Sequence, residues 1–139
     1  MISSKTISHL TEIRVPFYDI DSLHIAWHGH YVKYFEVARC ELLNEIGYNY
    51  NDMAASGYMW PIVDLQIKYI RPAVFGQTIQ VVSSIIEYQN RLKIAYLIVD
   101  KSSQQKLTKG HTTQLAIDLK TQQLQFVSPL CLIEKIKSF

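Results

Sequence analysis

Cysteine and glycine are both scarce in this chain of 139 residues, which holds two cysteines and five glycines. Two cysteines cannot build a disulfide framework, and Cys40 and Cys131 stand among aliphatic neighbours, which predicts two buried thiols. The few glycines are scattered, so the chain has no glycine-rich loop that could cradle phosphates. Nucleoside-triphosphate and dinucleotide chemistry are therefore excluded.

An excess of one charge and long apolar runs are also missing. Lys and Arg number 14 against 12 Asp and Glu, a net charge of +2, so no nucleic-acid partner is expected. No stretch approaches the roughly 20 apolar residues that cross a bilayer, and the first ten residues lack the pattern of a signal peptide. We expect a cytoplasmic protein without an integral membrane segment.

What is present is the composition of a globular protein, with 48% hydrophobic and 19% charged residues. We expect one domain over 1–139, with 1–10 as a loose leader and 130–139 as a terminal helical segment. Alternation over Thr11–Tyr18 predicts a strand, with Pro16 near an edge. Apolar residues at helical spacing predict a long helix over His30–Ile46, which Gly47 ends.

Most of the remaining chain is typical of strands. A short helix is predicted at Asn51–Ser56, and strands are predicted at Val63–Tyr69, Ile79–Glu87, Leu92–Asp100, Leu107–Leu119 and Leu124–Val127. This order predicts an α+β fold in which a curved antiparallel sheet of about five or six strands wraps one long helix. Several strands are apolar on both faces, which predicts a second buried surface and hence a homodimer or homotetramer.

Titratable residues are densest between the first strand and the long helix: Asp19, Asp21, His24, His28 and His30. The unpaired N–H groups at a helix start can hold an oxyanion, and a nearby carboxylate can act as a general base or nucleophile. Three other interpretations stay open. Asp21 could cap a turn, His28 could have a purely structural role, and the cluster could bind a metal. The irregular spacing argues against a metal.

The same region resembles a known family. The segments Phe17–Asp21 (FYDID), Ile25–Tyr31 (IAWHGHY) and Tyr34–Arg39 (YFEVAR), followed by Gly47, are similar to the signature of hotdog-fold thioesterases. The branch they resemble is the 4-hydroxybenzoyl-CoA thioesterase-like one, which includes bacterial acyl-CoA thioesterases associated with the Tol-Pal system. Ile67–Ala73 (IKYIRPA) resembles a later segment of that branch. The resemblance covers about residues 11–128 and implies the hotdog fold.

The resemblance also implies roles for particular residues, with an acyl-CoA substrate and no cofactor. Asp21 would be the base or nucleophile, and the His28 backbone N–H would hold the thioester oxygen. Glu36 is a second candidate carboxylate, although pairing with Arg39 is the simpler interpretation. His24 stands where the branch usually has glycine, and His30 where it often has a small polar residue.

Further residues are candidates for binding the two ends of acyl-CoA. Cations at the pocket mouth would bind the coenzyme A phosphates, and the candidates are Lys68, Arg71, Arg91 and Lys93. The resemblance implies Arg91 and Lys93 as the better pair, often acting across a dimer. Aromatic residues would line the acyl pocket, and the candidates are Trp27, Tyr34, Tyr58 and Trp60. Ordinary solvated charges and core packing explain these residues as well. The alternative function is a non-catalytic hotdog module that binds acyl-CoA or acyl carrier protein.

Overall fold

The computed structural model describes residues 6–139. The elements, in chain order, are β1 (Ser8–Arg14), a 3-10 turn (Phe17–Asp19), α1 (His30–Glu45), α2 (Tyr50–Ala55), β2 (Tyr58–Met59), β3 (Ile62–Tyr69), β4 (Thr78–Glu87), β5 (Leu92–Asp100), β6 (Lys106–Gln114), β7 (Ile117–Asp118) and α3 (Leu130–Ser138). Five strands form one antiparallel sheet in the order β1-β4-β5-β6-β3, and β2 pairs with β7. No helix of the described residues is long and apolar enough to cross a membrane.

The long helix α1 supplies the centre of the hydrophobic core. Its buried residues follow helical spacing, and α1 packs against β1 and β4. Phe35 stacks on Tyr96 of β5 with ring centroids 4.3 Å apart. A Cβ at Gly110 of β6 would overlap both the Phe35 ring and the backbone of β3, so only glycine allows this close approach. One long helix against an antiparallel sheet confirms the predicted fold class.

The predicted boundaries agree with the observed ones in most elements. α1 begins at His30 as predicted and ends at Glu45, and Gly47 takes the left-handed conformation (φ 78°) that favours glycine. The four hairpin strands β3 to β6 begin within one residue of their predicted starts. The terminal segment 130–139 forms α3, as the sequence predicts.

Four predictions about the chain's path are wrong in part. The strand predicted over Thr11–Tyr18 runs instead over Ser8–Arg14, and Phe17–Asp19 form a 3-10 turn. The loose leader is shorter than 1–10, because Ser8–Leu10 already pair with β4; residues 1–5 lie outside the described residues. The strand predicted over Leu107–Leu119 is interrupted after Gln114, and only Ile117–Asp118 continue as β7. Instead of a strand, Leu124–Val127 contributes one bridge, from Leu124 to Ile117.

Candidate active site

The loop between the 3-10 turn and α1 holds Asp21 in a tight turn. The Asp21 backbone N–H donates to the Ile25 carbonyl at 2.9 Å, and the His24 N–H donates back to the Asp21 carbonyl at 3.0 Å. The Asp21 side chain accepts a hydrogen bond from the Leu23 N–H at 2.8 Å, which orients the carboxylate from within its own turn. The half-buried carboxylate is therefore held in place by backbone that precedes the helix.

His24 gives this turn its unusual backbone conformation. Its φ of 65° lies in the left-handed region, where glycine is the usual residue. Histidine is among the side chains that tolerate this region better than most. His24 thus adopts a conformation that glycine would adopt without strain.

The loop is fastened to the segment that follows β3. Ile25 forms a bridge to Val74, and the Ala26 N–H donates to the Ala73 carbonyl at 2.8 Å. The Ala73 N–H in turn donates to the hydroxyl of Tyr31, a buried residue in the first turn of α1, at 3.0 Å. Loop, helix start and strand end therefore form one packed unit around a cavity.

A pocket of about 290 Å³ lies between the loop and the end of β3. It contains the two residues predicted to be catalytic, Asp21 and His28, beside Arg71. The remaining lining residues are mainly apolar or aromatic: Leu23, Ile25, Ala26, Tyr31, Tyr69, Ile70 and Pro72. An apolar pocket with a few convergent polar groups is typical of a small-molecule site.

The N-terminus of α1 has no capping side chain and no acidic residue in its first turn. Its N-cap residue is Gly29. Within the described residues, the His28 amide donates to no backbone carbonyl. A Cβ at Gly29 would overlap the Trp27 ring, which lies over it, so a capping side chain has no room. The positive end of the helix dipole is thus left for a ligand.

Tyr69 links β3 to the helix start, a contact that the sequence did not indicate. Its hydroxyl donates to the His28 carbonyl at 2.7 Å, and its ring meets the Tyr31 ring edge to face at 5.2 Å. The alternation along β3 does place Tyr69 on the helix side, opposite to Lys68. Nothing in that alternation indicates which carbonyl its hydroxyl reaches.

Asp19, two positions before Asp21, lies outside the pocket and is buried against α1. Its carboxylate accepts hydrogen bonds from Lys33 at 2.5 Å and Tyr34 at 2.8 Å, and its carbonyl accepts the Trp27 N–H at 2.9 Å. Burial raises the pKa of Asp19, but the hydrogen bonds from Lys33 and Tyr34 outweigh it, so the pKa is lowered overall. Asp19 is an ionised anchor between the 3-10 turn and the helix.

The predicted acyl-pocket aromatics do not line this pocket. Trp27 packs over Gly29 on the other side of the helix start, and Tyr34 is buried against Asp19. Trp60 is buried with its indole N–H 3.2 Å from the Tyr48 hydroxyl, while Tyr58 is half-buried in β2. Tyr31 and Tyr69 are the aromatic residues at the pocket instead.

The four candidate cations occupy three places. Arg71 lines the pocket, and its role in binding coenzyme A stays a prediction. Lys68 lines a separate groove on the outer face of the sheet, because it alternates with Tyr69 along β3. Arg91 and Lys93 line a third groove of about 700 Å³ near the start of β3.

The Arg91–Lys93 groove also contains His111. The Arg91 guanidinium lies 3.1 Å from Glu87, and His111 lies 3.4 Å from Asp64. Burial and the nearby Lys93 and Arg91 lower the pKa of His111, against the opposing effect of Asp64. In one chain this groove is separated from the Asp21 pocket by most of the length of β3.

The remaining candidate residues, Glu36 and the two cysteines, lie outside the pocket. Glu36 forms an ion pair with Arg39, whose side chain is buried, and Arg39 also donates to the Tyr50 hydroxyl at 2.8 Å. Cys40 and Cys131 are both free and only half-buried, rather than buried as predicted. Among residues 6–139, no three His, Cys, Asp or Glu side chains are grouped so that they could hold a metal ion.

Known families and proteins are similar to this chain. A family model of the thioesterase-like superfamily matches residues 15–136. The chain belongs to this superfamily. A candidate acyl-CoA thioesterase of Bacillus subtilis, YneP, is 36% identical over 85 residues, which are 61% of each chain. A candidate esterase of Synechocystis, sll0410, is 33% identical over 107 residues, 76% of this chain and 64% of that one.

Solved structures of the superfamily share the fold of this thioesterase-like chain. The 1,4-dihydroxy-2-naphthoyl-CoA (DHNA-CoA) thioesterase of Staphylococcus aureus superposes with a TM-score of 0.83 at 24% identity, over 94% of this chain and 89% of that one. The matched part spans 61% and 64% of the two curated relatives' own lengths. The fold is therefore that of the hotdog thioesterases.

Proposed function

We propose that the protein is an acyl-CoA thioesterase that hydrolyses its substrate in the Asp21 pocket. The observation that supports this most is the placement of Asp21 and His28 in one apolar pocket at an uncapped helix start. A carboxylate beside unpaired N–H groups is the arrangement that acyl transfer requires without a metal or a serine. The names of YneP and of the DHNA-CoA thioesterase support the same reaction class.

In the proposed reaction, acyl-CoA and water give a free carboxylic acid and coenzyme A. Two routes are consistent with Asp21. As a general base it takes a proton from water, whose oxygen attacks the carbonyl carbon as the C–S bond breaks. As a nucleophile it forms a mixed anhydride, which water then hydrolyses. In both routes the His28 amide stabilises the negative charge that develops on the thioester oxygen, and the thiolate leaves and takes up a proton.

A thioester panel with detection of the released thiol tests the proposal. Acyl-CoA substrates of increasing chain length, with benzoyl and hydroxybenzoyl-CoA beside them, should include one that the purified protein hydrolyses well above the uncatalysed rate. The alternative is a module that binds acyl-CoA or acyl carrier protein without turnover. It predicts saturable binding across the same panel with no release of thiol.

The two routes differ in where an oxygen atom from solvent first appears. In a single turnover in ¹⁸O-labelled water, the nucleophilic route leaves the label on the Asp21 carboxylate when water attacks the aspartyl carbonyl of the anhydride, whereas attack at the acyl carbonyl sends the label to the product acid. The general-base route delivers the label to the product acid alone. In mass spectrometry, label in the peptide that contains Asp21 establishes the nucleophilic route, and an unlabelled peptide excludes attack of water on the aspartyl carbonyl of the anhydride.

We also propose that the protein is a homo-oligomer, with β3 at the contact between copies. β3 is an edge strand of the sheet, and nearly all of its residues are exposed, including Val63, Leu65 and Tyr69. An exposed apolar edge of this kind is a template for pairing with another strand. Antiparallel pairing of two β3 strands forms one continuous sheet.

Such a pairing would also bring the Arg91–Lys93 groove of one copy close to the other copy. Asp64 and Tyr69 are five residues apart on β3, a distance of about 17 Å. Antiparallel pairing brings the start of one β3 beside the end of the other, so the groove of one copy approaches the Asp21 pocket of its neighbour. Arg91 and Lys93 then become candidates to bind coenzyme A phosphates across the contact.

The cytoplasm is the proposed location. The free thiols of Cys40 and Cys131 are the feature that favours it, because reducing compartments keep thiols unpaired.

A further inference from the structure

The outer face of the sheet, away from α1, carries one row of side chains that crosses all five strands. The register places Leu10 opposite Val82, Val82 opposite Leu97, Leu97 opposite Lys109, and Lys109 opposite Lys68. Directly opposite residues share a face of an antiparallel sheet. The row is therefore apolar over β1, β4 and β5, and basic over β6 and β3.

A groove of about 640 Å³ follows this face. Its floor is formed by small and apolar side chains, including Ser84, Ala95, Val82 and Leu97. Its charged lining residues are Lys68, Lys106 and Lys109, with His111 at one end, and no Asp or Glu of the described residues lines it. The groove, which we call the lysine groove, therefore has a positive potential that no carboxylate in its lining offsets.

Two of these lysines lie where the repulsion between their charges lowers the stability of the sheet. Lys68 and Lys109 are directly opposite on neighbouring strands, with Cβ atoms about 4.5–5.5 Å apart, and like charges in such pairs destabilise a sheet. An exposed strand could carry Glu or Thr at either position without changing the fold. An anionic partner that covers both lysines would explain why Lys68 lies directly opposite Lys109.

The dimensions of the lysine groove match an α-helix. From Val82 on β4 to Lys68 on β3 the sheet spans three strand spacings, about 14 Å. A helix with its side chains is about 10–12 Å across. One side of such a helix would meet Val82 and Leu97, and the other would meet the lysines. This is the fit of an amphipathic helix with an acidic flank.

The lysine groove also lies next to the proposed active site. Lys68 and Tyr69 are consecutive residues of β3, and they point to opposite faces of the sheet. Tyr69 lines the Asp21 pocket, whereas Lys68 lines the groove. A partner seated in the groove is thus within reach of the pocket around the end of β3, at Ile70–Pro72.

We propose that the lysine groove docks the acidic helix of a carrier protein that presents its thioester to the Asp21 pocket. The proposal rests on the proposed thioesterase function and names a partner for it. The occupant is a protein rather than a free nucleotide because the apolar half of the row, Leu10, Val82 and Leu97, offers nothing to a phosphate.

The test compares three thioesters of the same acyl group: on acyl carrier protein, on coenzyme A, and on the uncharged thiol N-acetylcysteamine. The variant is Lys106→Glu with Lys109→Glu, and the matched control is Lys135→Glu with Lys137→Glu on α3. For the carrier-protein substrate, kcat/KM should fall at least about tenfold in the groove variant, because reversed charges remove electrostatic steering. The other two substrates, and the control variant, should stay within about twofold of the parent.

The stability of the groove variant separates docking from folding. Lys109→Glu replaces a repulsion with Lys68 by an attraction, so the midpoint of thermal unfolding should stay the same or rise. If the double Glu variant does not fold, Lys106→Gln with Lys109→Gln should show a smaller loss in the same direction.

Three results would overturn the proposal. An equal loss with coenzyme A and carrier-protein substrates would mean that the groove binds nucleotide phosphates. Unchanged rates with all three would mean that the lysines are ordinary solvated charges. A change of oligomeric state in the variant, measured by analytical ultracentrifugation, would make the groove a contact between copies.

If the parent protein hydrolyses none of the three, the proposed function fails but docking is still measurable. Titration of ¹⁵N-labelled holo-acyl carrier protein should then show binding that the groove variant weakens and the control does not. Equal binding by both variants would overturn the docking proposal separately.

Discussion

At the scale of single residues, one hydrogen bond connects the strand that borders the pocket with the helix that begins there. The Tyr69 hydroxyl donates to the carbonyl of His28, whose own amide is the proposed oxyanion donor. The bond fixes the backbone immediately before the N-cap Gly29. We therefore expect Tyr69 to help position the His28 backbone, in addition to being part of the pocket wall.

Replacing Tyr69 with Phe keeps the ring and removes only this bond. We expect kcat for the best thioester substrate to fall about tenfold, since a misplaced oxyanion donor loses part of its stabilisation of the transition state. KM should change little because the ring still lines the pocket. Steady-state kinetics of thiol release measure both constants.

Tyr88→Phe is the matched control, since Tyr88 lies outside the Asp21 pocket. It should retain the parent's kcat. If Tyr69→Phe raises KM and leaves kcat unchanged, Tyr69 contributes to substrate binding and the positioning role is wrong.

The sequence could place Asp21 and His28 in one loop but could not distinguish the surroundings of neighbouring aspartates. Asp19 and Asp21 are both acidic, and both precede α1 in the same polar segment. Only tertiary packing makes Asp19 the partner of Lys33 and Tyr34 and leaves Asp21 at a cavity. The roles of Asp21 and His28 stay predictions.

At the scale of elements, the 3-10 turn is attached to α1 through Asp19. Its side chain is 1% exposed and bonds two helix residues, so its charge is paired within the fold. A carboxylate in this position stabilises the folded state as long as it is ionised. Because its pKa is lowered on folding, this stabilisation is full above the unfolded pKa of about 3.9 and is lost as the pH falls through the folded pKa.

Asp19→Asn should therefore lower the free energy of unfolding by about 1–2 kcal/mol at pH 7, where the charge-assisted bond to Lys33 is lost. The difference between parent and variant should shrink as the pH falls below about 4, where Asp19 takes up a proton first in the unfolded chain and, at lower pH, in the folded parent. Urea denaturation at several pH values from 7 down to 2 measures this difference in the free energy of unfolding. A difference that stays constant down to pH 2 would mean that the charge of Asp19 does not contribute.

Regular elements were the most predictable part of the fold. The β-branched-rich runs of β4 and β5 and the helical spacing of α1 each extend over many residues, so local pattern and tertiary packing agree. The break after Gln114 was not predictable, because the apolar residues Leu115 and Ala116 continue a strand-like pattern. Gln114 is buried, and its side-chain amide donates to the carbonyl of Trp60, in the connection between β2 and β3, at 2.7 Å.

At the scale of the whole molecule, the exposed edge of β3 is the feature that a single chain leaves unexplained. Val63 and Leu65 are 50% and 40% exposed, a level at which apolar side chains on an edge strand favour pairing with another chain. The sequence predicted a second buried surface from strands that are apolar on both faces. Those strands, β4 and β5, lie inside the sheet, and the exposed apolar edge of β3 is a separate feature.

Leu65→Lys should weaken self-association, because a charge would be buried where two β3 strands meet. Analytical ultracentrifugation should show a parent dimer or tetramer and a smaller species for the variant at the same concentration. Leu119→Lys, an exposed leucine beyond β7, is the matched control and should keep the parent's mass. A parent that sediments as a monomer would contradict the proposed contact.

The acyl-pocket aromatics also show what only the whole fold determines. Trp60 and Tyr58 lie on or near the small β2–β7 sheet, away from the helix start. Sequence composition marks them as large and apolar, which is equally true of core residues and of pocket walls. Tyr31 is buried and Tyr69 half-exposed at the pocket because α1 and β3 meet there.

The central claim is that Asp21 performs thioester hydrolysis beside the start of α1. Its most direct test is the rate of thiol release by Asp21→Asn on the best substrate of the panel, with Asp52→Asn as a folded control at a capping position. We expect Asp21→Asn to lose at least about a hundredfold in kcat, since an amide can serve neither as base nor as nucleophile, while it unfolds at the parent's temperature. A variant that keeps the parent's rate would contradict the assignment of the site.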